Sequence, residues 1–141
     1  MKYLTDANIL SEPTKPSPAP SVIAWLRRNE RHLAVDPIIL GEVLYGILRL
    51  PKGLRRRRLE AWYRDGVARI ACLPWEAETG MRWASLLAEL RAKGRAIPIK
   101  DSLIAATALT HRLTVATRNR RDFEAAGVPV VDPFDSPPDP D

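Results

Sequence analysis

Hydrophobic positions along the chain fall into short runs that alternate with longer stretches patterned at the helical period. Tyr3 and Leu4 start a short apolar run that resumes at Ile9 and Leu10, which predicts a buried strand at the beginning of the chain. The proline-rich residues 12–21 lead into a helix capped by Ser21, with Val22, Ile23, Trp25 and Leu26 on one side. Leu33, Ala34 and Val35 form a second short strand ending at Asp36-Pro37, and residues 38–48 follow as a helix apolar on nearly every side, the pattern of a buried helix. Pro51-Lys52-Gly53 breaks the chain before a helix over 54–65. A strand over 67–73 and a long helix over 75–93, stopped by Gly94, come next. Residues 96–99 are extended, Asp101 opens a further helix, and 113–116 form a fourth strand. A short helix capped by Asp122 and ended by Gly127 leads to a last strand over 128–131. From Asp132 the chain is rich in Pro and Asp, so the expected division is one domain over 1–134 and a disordered acidic tail over 135–141. Strands alternating with helices predict an α/β fold: an open, mainly parallel sheet flanked by helices, with polar residues at strand ends gathered along one edge.

Several acidic residues interrupt this pattern. Asp6 and Asn8 break the first apolar run, and a charge there needs a partner; the alternative is a tight turn in which both side chains bond nearby backbone. Glu42 is the lone ionisable carboxylate of residues 38–48, where an unpaired charge costs on the order of several kcal/mol unless an ion or a partner meets it. A helical wheel puts it away from Leu40, Val43, Leu44 and Ile47, so a solvated face is the alternative. Asp101 is a favourable helix cap, yet a carboxylate has more acceptor sites than one cap uses. Asn119 and Asp122 follow the fourth strand, and in a parallel sheet all of these side chains meet at one edge. Crowded carboxylates raise one another's pKa and repel, and a hard cation is the usual remedy. Oxygen donors without imidazole favour Mg²⁺ or Mn²⁺ over zinc, and such ions polarise phosphodiesters and activate water, as a metal-dependent nuclease requires.

Composition narrows the classes. At 141 residues the chain suits one domain with a substantial core. No apolar stretch approaches the length of a membrane-spanning helix, and Asp6 interrupts the first apolar run before it can serve as a signal peptide, so a cytoplasmic protein is expected. One cysteine and two histidines argue against a Cys/His zinc site, and Cys72, within an apolar run, is expected in the core. The net charge of +5 is carried mainly by arginine, which suits phosphate contacts; Arg118, Arg120 and Arg121, beside Asn119 and Asp122, are the candidates to hold the phosphates of a nucleic acid.

Four blocks in order resemble one family: Leu4-Thr5-Asp6-Ala7-Asn8-Ile9-Leu10-Ser11-Glu12, Leu40-Gly41-Glu42, Asp101-Ser102-Leu103-Ile104-Ala105-Ala106-Thr107-Ala108 and Thr117-Arg118-Asn119-Arg120-Arg121-Asp122-Phe123. The chain resembles a PIN-domain ribonuclease of the VapC or FitB type, the toxins of bacterial toxin–antitoxin pairs. The resemblance spans residues 1–134 and implies a PIN-like fold and cleavage of RNA with Mg²⁺ or Mn²⁺. It also implies an acidic site of Asp6, Glu42, Asp101 and Asp122 assisted by Asn119, and a homodimer or a larger assembly with a cognate antitoxin. Trp25, Tyr45, Leu48 and Trp62 are candidate anchors for that partner, or else core residues. Two positions depart from the family pattern. Ala7 stands where many relatives carry a hydroxyl, and Asn119 stands where an Asp is common, which leaves open whether Asn119 or Asp122 completes the site.

Other chemistries fit less well. An aspartate-nucleophile phosphatase wants an Asp where Asn8 stands, a phosphoacceptor domain wants paired acids after the first strand, and a histidine ribonuclease would have to draw on His32 and His111. The alternative from another class is a catalytically silent PIN-like module that binds RNA or a protein partner.

Overall fold

The computed structural model describes residues 1–135. Its strands are β1 (Tyr3–Thr5), β2 (Leu33–Val35), β3 (Ala71–Cys72), β4 (Thr114–Ala116) and β5 (Val130–Val131), in one sheet of order β3-β2-β1-β4-β5 with every neighbouring pair parallel. Parallel pairing needs a crossover between successive strands, and the helices supply it. These are α1 (Ala7–Leu10), α2 (Pro20–Arg28), α3 (Pro37–Leu48), α4 (Leu54–Asp65), α5 (Ala77–Ala92), α6 (Ile99–His111) and α7 (Arg120–Ala125). Among the described residues no helix is long and apolar enough to cross a membrane.

Register aligns the strand ends. Thr5 lies opposite Ala116, and the Asp6 N–H donates to the Ala116 carbonyl at 2.9 Å. Asp6, Asp36 and Thr117 therefore leave β1, β2 and β4 along the same carboxyl edge. The direction of winding reverses at β1, which has β2 on one side and β4 on the other, and in open α/β sheets such a switch point opens a crevice.

Two apolar clusters cover the sheet. The larger includes Leu4, Val35, Ile39, Leu86, Ile104 and Phe123; the smaller joins Ile9, Val22, Trp25, Leu33 and Ala116. Trp25 is 4% exposed and meets Tyr3 edge-on at 4.9 Å between ring centroids, so it is a core residue and not a surface anchor. Trp62 is partly buried against the larger cluster. Tyr45 and Leu48 are 65% and 45% exposed, because α3 buries only the stripe Ile39, Val43 and Ile47; the helix is apolar all round without being buried all round.

Local chemistry sets the helix ends. Pro37 occupies the first turn of α3, where its missing N–H costs nothing, and the Asp36 Oδ1 accepts the Ile39 N–H at 2.9 Å. The other oxygen, Oδ2, accepts the Thr107 hydroxyl at 2.7 Å, tying α3 to α6 through fully buried groups. Gly94, at φ +65°, ends α5, and the Arg95 N–H closes back on the Leu90 carbonyl at 2.9 Å.

Several expected boundaries move. Ser21 is not the cap of α2: Pro20 takes the first turn and the Ser21 hydroxyl donates to the Phe134 carbonyl at 3.2 Å. The strand expected over 67–73 shrinks to Ala71–Cys72, preceded by the 3₁₀ turn Val67–Arg69, because this edge strand pairs on one side only. Cys72 is exposed there instead of packed in the core. The last strand is likewise only Val130–Val131. Residues 132–135 are not structureless, since Pro133–Asp135 forms a 3₁₀ turn and the Phe134 N–H donates to Asp132 Oδ1 at 2.9 Å. The rest of the expected tail, 136–141, lies outside the described residues.

Thr107→Val keeps the shape of the side chain and removes the one donor that joins α6 to Asp36. A buried carboxylate stripped of a donor costs about 1–3 kcal/mol. Urea unfolding should register that loss with an unchanged slope; an unaltered midpoint would show that the bond does not hold the two helices.

Candidate active site at the carboxyl edge of the sheet

Asp6 ends β1 and caps α1 with Oδ1, which accepts the Ala7 N–H at 2.8 Å. Its Oδ2 accepts the Thr117 hydroxyl at 2.7 Å and the Asn8 amide at 3.3 Å. The side chain is 4% exposed, and desolvation pushes its pKa up against the opposing pull of Thr117, Ala7 and Lys100. Asp6 is thus both a cap, as its turn-forming chemistry allows, and a buried carboxylate with partners across the sheet. Thr117 is the joint. Its oxygen also accepts the Asn119 N–H at 3.0 Å, while Asn8 Oδ1 accepts the Arg118 N–H at 3.2 Å, so the loop after β4 is stitched to the loop after β1.

Asn119 gathers two more acids. Its Nδ2 donates to Asp101 Oδ2 at 3.1 Å and to Asp122 Oδ2 at 3.0 Å. Neither aspartate caps its helix by side chain: α6 begins at Ile99 after Pro98, and α7 begins after Asn119, which places Asp101 and Asp122 inside the first turns. There the exposed N–H ends of the helix still favour negative charge. Asp101 is 8% exposed, and its pKa is pushed up to about 6, by burial first and then by the charges of Asp6, Asp122 and Glu42, with Lys100 opposing.

Glu42, on α3, is half-buried rather than solvated. Its Oε2 lies 3.2 Å from Lys100 Nζ, whereas Oε1 is buried with no hydrogen-bond partner among the described residues. Burial raises its pKa most, then Asp6, with Lys100 opposing and Asp36 adding a smaller push. Asp101 therefore lies within electrostatic reach of Asp6, Glu42 and Asp122, and Glu42 within reach of Asp6. Among the described residues, however, no three acidic, imidazole or thiol side chains stand close enough to enclose an ion as they are. The contacts they do make are to Ala7, Thr117 and Asn8 for Asp6, to Lys100 for Glu42, and to Asn119 for Asp101 and Asp122.

The arginines expected to hold RNA divide. The Arg118 guanidinium sits 4.2 Å from the Phe134 ring centroid, and Arg120 pairs with Glu124 at 3.0 Å. Arg121 is exposed and has no ion pair among the described residues. Thr117, Asp36 and Lys100 went unmarked as candidate site residues in the sequence reading. Thr117 and Asp36 carry the signal that singled out Asp6, a polar residue directly after a buried strand, and Lys100 is a cation at a helix start, where the macrodipole disfavours it.

Carboxylates and amides from the ends of β1 and β4 and from α3 and α6 meet at a topological switch point, the place where open α/β sheets take their ligands. The chain belongs to the PIN-domain family, whose model matches residues 3–129. It is similar to the VapC ribonuclease Y4jK of Sinorhizobium fredii, 33% identical over 135 residues that cover 92% of this chain and 96% of that protein. The crystal structure of FitAcB from Neisseria gonorrhoeae aligns with a TM-score of 0.86 at 31% identity, covering 95% of this chain and 99% of that one. A toxin–antitoxin complex from Klebsiella pneumoniae aligns with a TM-score of 0.71 at 25% identity, covering 94% and 98%.

The sign of the pH dependence follows from Asp101. Its folded pKa of about 6 lies above the ordinary 3.8, so the native state keeps a proton the unfolded chain has lost. The stability this contributes is complete below 3.8 and is lost as pH rises through about 6. In chelator, the melting temperature should fall between about pH 4 and 7, and Asp101→Asn should flatten that fall; an equal slope in both proteins would remove Asp101 from the acidic cluster.

Proposed function

We propose that this chain is a metal-dependent endoribonuclease, the toxin of a toxin–antitoxin pair, which hydrolyses RNA phosphodiesters with Asp6, Glu42, Asp101 and Asp122 as its acidic site. The observation that carries this reading is the convergence of those carboxylates within electrostatic reach, with one buried oxygen of Glu42 left unpartnered. The donor set fits a hard divalent cation, because every candidate ligand is an oxygen and an added positive charge relieves the mutual repulsion. Asp6, Asp101, Glu42 and Asp122 would hold Mg²⁺ or Mn²⁺, with Asn119 assisting. When bound, such an ion polarises the phosphodiester and lowers the pKa of the attacking water.

The chain's own residues do the positioning. Thr117 and the Ala7 N–H fix both oxygens of Asp6, and Asn119 holds Asp101 and Asp122 at a set spacing through one amino group. An ionised carboxylate has about four acceptor sites, so these bonds leave room for further ligation. The net charge of +5 attracts RNA, and Arg121, with no ion pair among the described residues, can grip a phosphate directly, while Arg118 and Arg120 have to leave their present partners first. We assign the antitoxin to the exposed face of α3 at Tyr45 and Leu48, and we expect a cytoplasmic homodimer or a larger assembly with that antitoxin. One observation favours the second reading, a silent module that binds RNA or a protein: no three carboxylates stand close enough to enclose an ion as they are, among the described residues.

Cleavage assays separate the two. Purified protein should cut single-stranded RNA only when Mg²⁺ or Mn²⁺ is added, and Asp6→Asn and Asp101→Asn should each abolish cutting while circular dichroism stays native. Ion at about a hundred times its dissociation constant should stabilise the wild type by about 2.7 kcal/mol and Asp101→Asn by much less. Cleavage in chelator, or full activity in either variant, rejects the metal site.

A second measurement addresses the partner. Tyr45→Ala and Leu48→Ala should weaken binding of the cognate antitoxin with little effect on the free protein, whereas Trp25→Ala should cost about 3–5 kcal/mol of stability. Undiminished binding in the Tyr45→Ala Leu48→Ala double variant would move the antitoxin to another face.

A further inference from the structure

Lys100 is out of place by the rules of helix formation. It is the second residue of α6, next to Asp101, where the unpaired N–H groups of the first turn make a cation unfavourable. What it meets there is Glu42 on another helix, with Nζ 3.2 Å from Oε2; the Glu42 side chain is 22% exposed and that of Lys100 is 55% exposed. The ammonium also favours the charged forms of Asp6 and Asp101. One residue thus supplies positive charge to three of the carboxylates, from a side chain that is half in solvent. It satisfies a single oxygen of Glu42 and leaves Oε1 buried without a partner.

We propose that Lys100 is the built-in counter-ion of the acidic pocket, holding Glu42 while no divalent cation is bound and releasing it when one enters, so that it sets how tightly the cation is held. The inference rests on the nuclease reading above. An ammonium and a divalent ion drawn to the same few carboxylates repel each other, so binding of one is linked to departure of the other. The departure is easy for a lysine: its ammonium rides on a flexible four-carbon stem and is well hydrated once it swings outward. An arginine would grip Glu42 with two parallel bonds and yield less readily. A position that needs a displaceable charge is served by lysine, and the unpartnered Oε1 is the ligand atom that waits for the incoming ion.

The test is a Mn²⁺ titration of the full chain, with free Mn²⁺ read by electron paramagnetic resonance, for wild type, Lys100→Met and Lys100→Arg, alongside melting curves in chelator. Lys100→Met keeps the length of the stem and removes the charge; it should bind Mn²⁺ about three- to tenfold more tightly and melt lower than wild type in chelator. Lys100→Arg should melt like wild type in chelator and bind Mn²⁺ no more tightly, which also shows that the site tolerates substitution. A wild type that binds Mn²⁺ beside a Lys100→Met that binds it no better overturns the counter-ion and leaves the metal reading standing. A wild type that binds no Mn²⁺ overturns the metal reading, and the counter-ion with it.

Discussion

Mutual repulsion among carboxylates at the carboxyl edge of the sheet is the constraint around which this molecule is arranged. Folding brings Asp6, Glu42 and Asp122 into the field of Asp101, and burial takes much of the water from Asp6, Glu42 and Asp101. Native domains hold only about 5–15 kcal/mol in reserve, so such a cluster persists only where donors meet each acid. The donors come from five sources: the Ala7 N–H, the Asn8 amide, the Thr117 hydroxyl, the Asn119 amide and the Lys100 ammonium. Each sits within three residues of an acid of the cluster or directly after the strand beside it. The same short segments therefore supply both the charges and the groups that keep them together.

The sheet makes this economical. In-register parallel strands put the residues after β1, β2 and β4 side by side without any long excursion of the chain. The helices carrying Glu42 and Asp101 start near that edge, and Asp36 and Thr107 lock them together below it. Asp36 is itself a fully buried carboxylate with a raised pKa, yet both of its oxygens have donors within the scaffold. Asp36 and Asp6 thus follow neighbouring strands and do different work. Both have each oxygen met by a donor, but Asp6 faces the remaining acids: it raises the pKa of both Glu42 and Asp101, whereas Asp36 adds only the smaller push on Glu42.

This difference marks the limit of what the sequence reveals. Periodicity is a property of apolar runs, so the parallel α/β order, the helices over most of their length and the interruption at Asp6 were all legible. Whether a polar residue after a strand is structural or free depends on partners far along the chain: Thr107 for Asp36, Thr117 for Asp6. Those pairings span 71 and 111 residues and leave no local signature. Cys72 is misplaced, and Trp25 left open between core and partner surface, for a related reason. Hydrophobicity ranks residues for burial without saying which face or edge they occupy, and an edge strand of two residues exposes what a longer inner strand would cover. Asp101 and Asp122 were displaced from cap to first turn because Pro98 and Asn119 stop the chain's extended segments earlier than the aspartates do.

For the site proposed above, charge bears on the choice between Asn119 and Asp122 as its last member. An aspartate at 119 would stand within bonding distance of two others, and like charges so close cannot all stay ionised near neutral pH. The amide removes that conflict and reverses its sign, since its amino group donates to both neighbours at 3.1 and 3.0 Å. Two ionised carboxylates offer only acceptors, so the amino end of the side chain must face them. Asp122 then supplies charge, Asn119 supplies the bridge that makes the charge tolerable, and the two act as one unit. The departure from the common family residue at 119 is in this sense compensated inside its own loop, by an acid three residues further on.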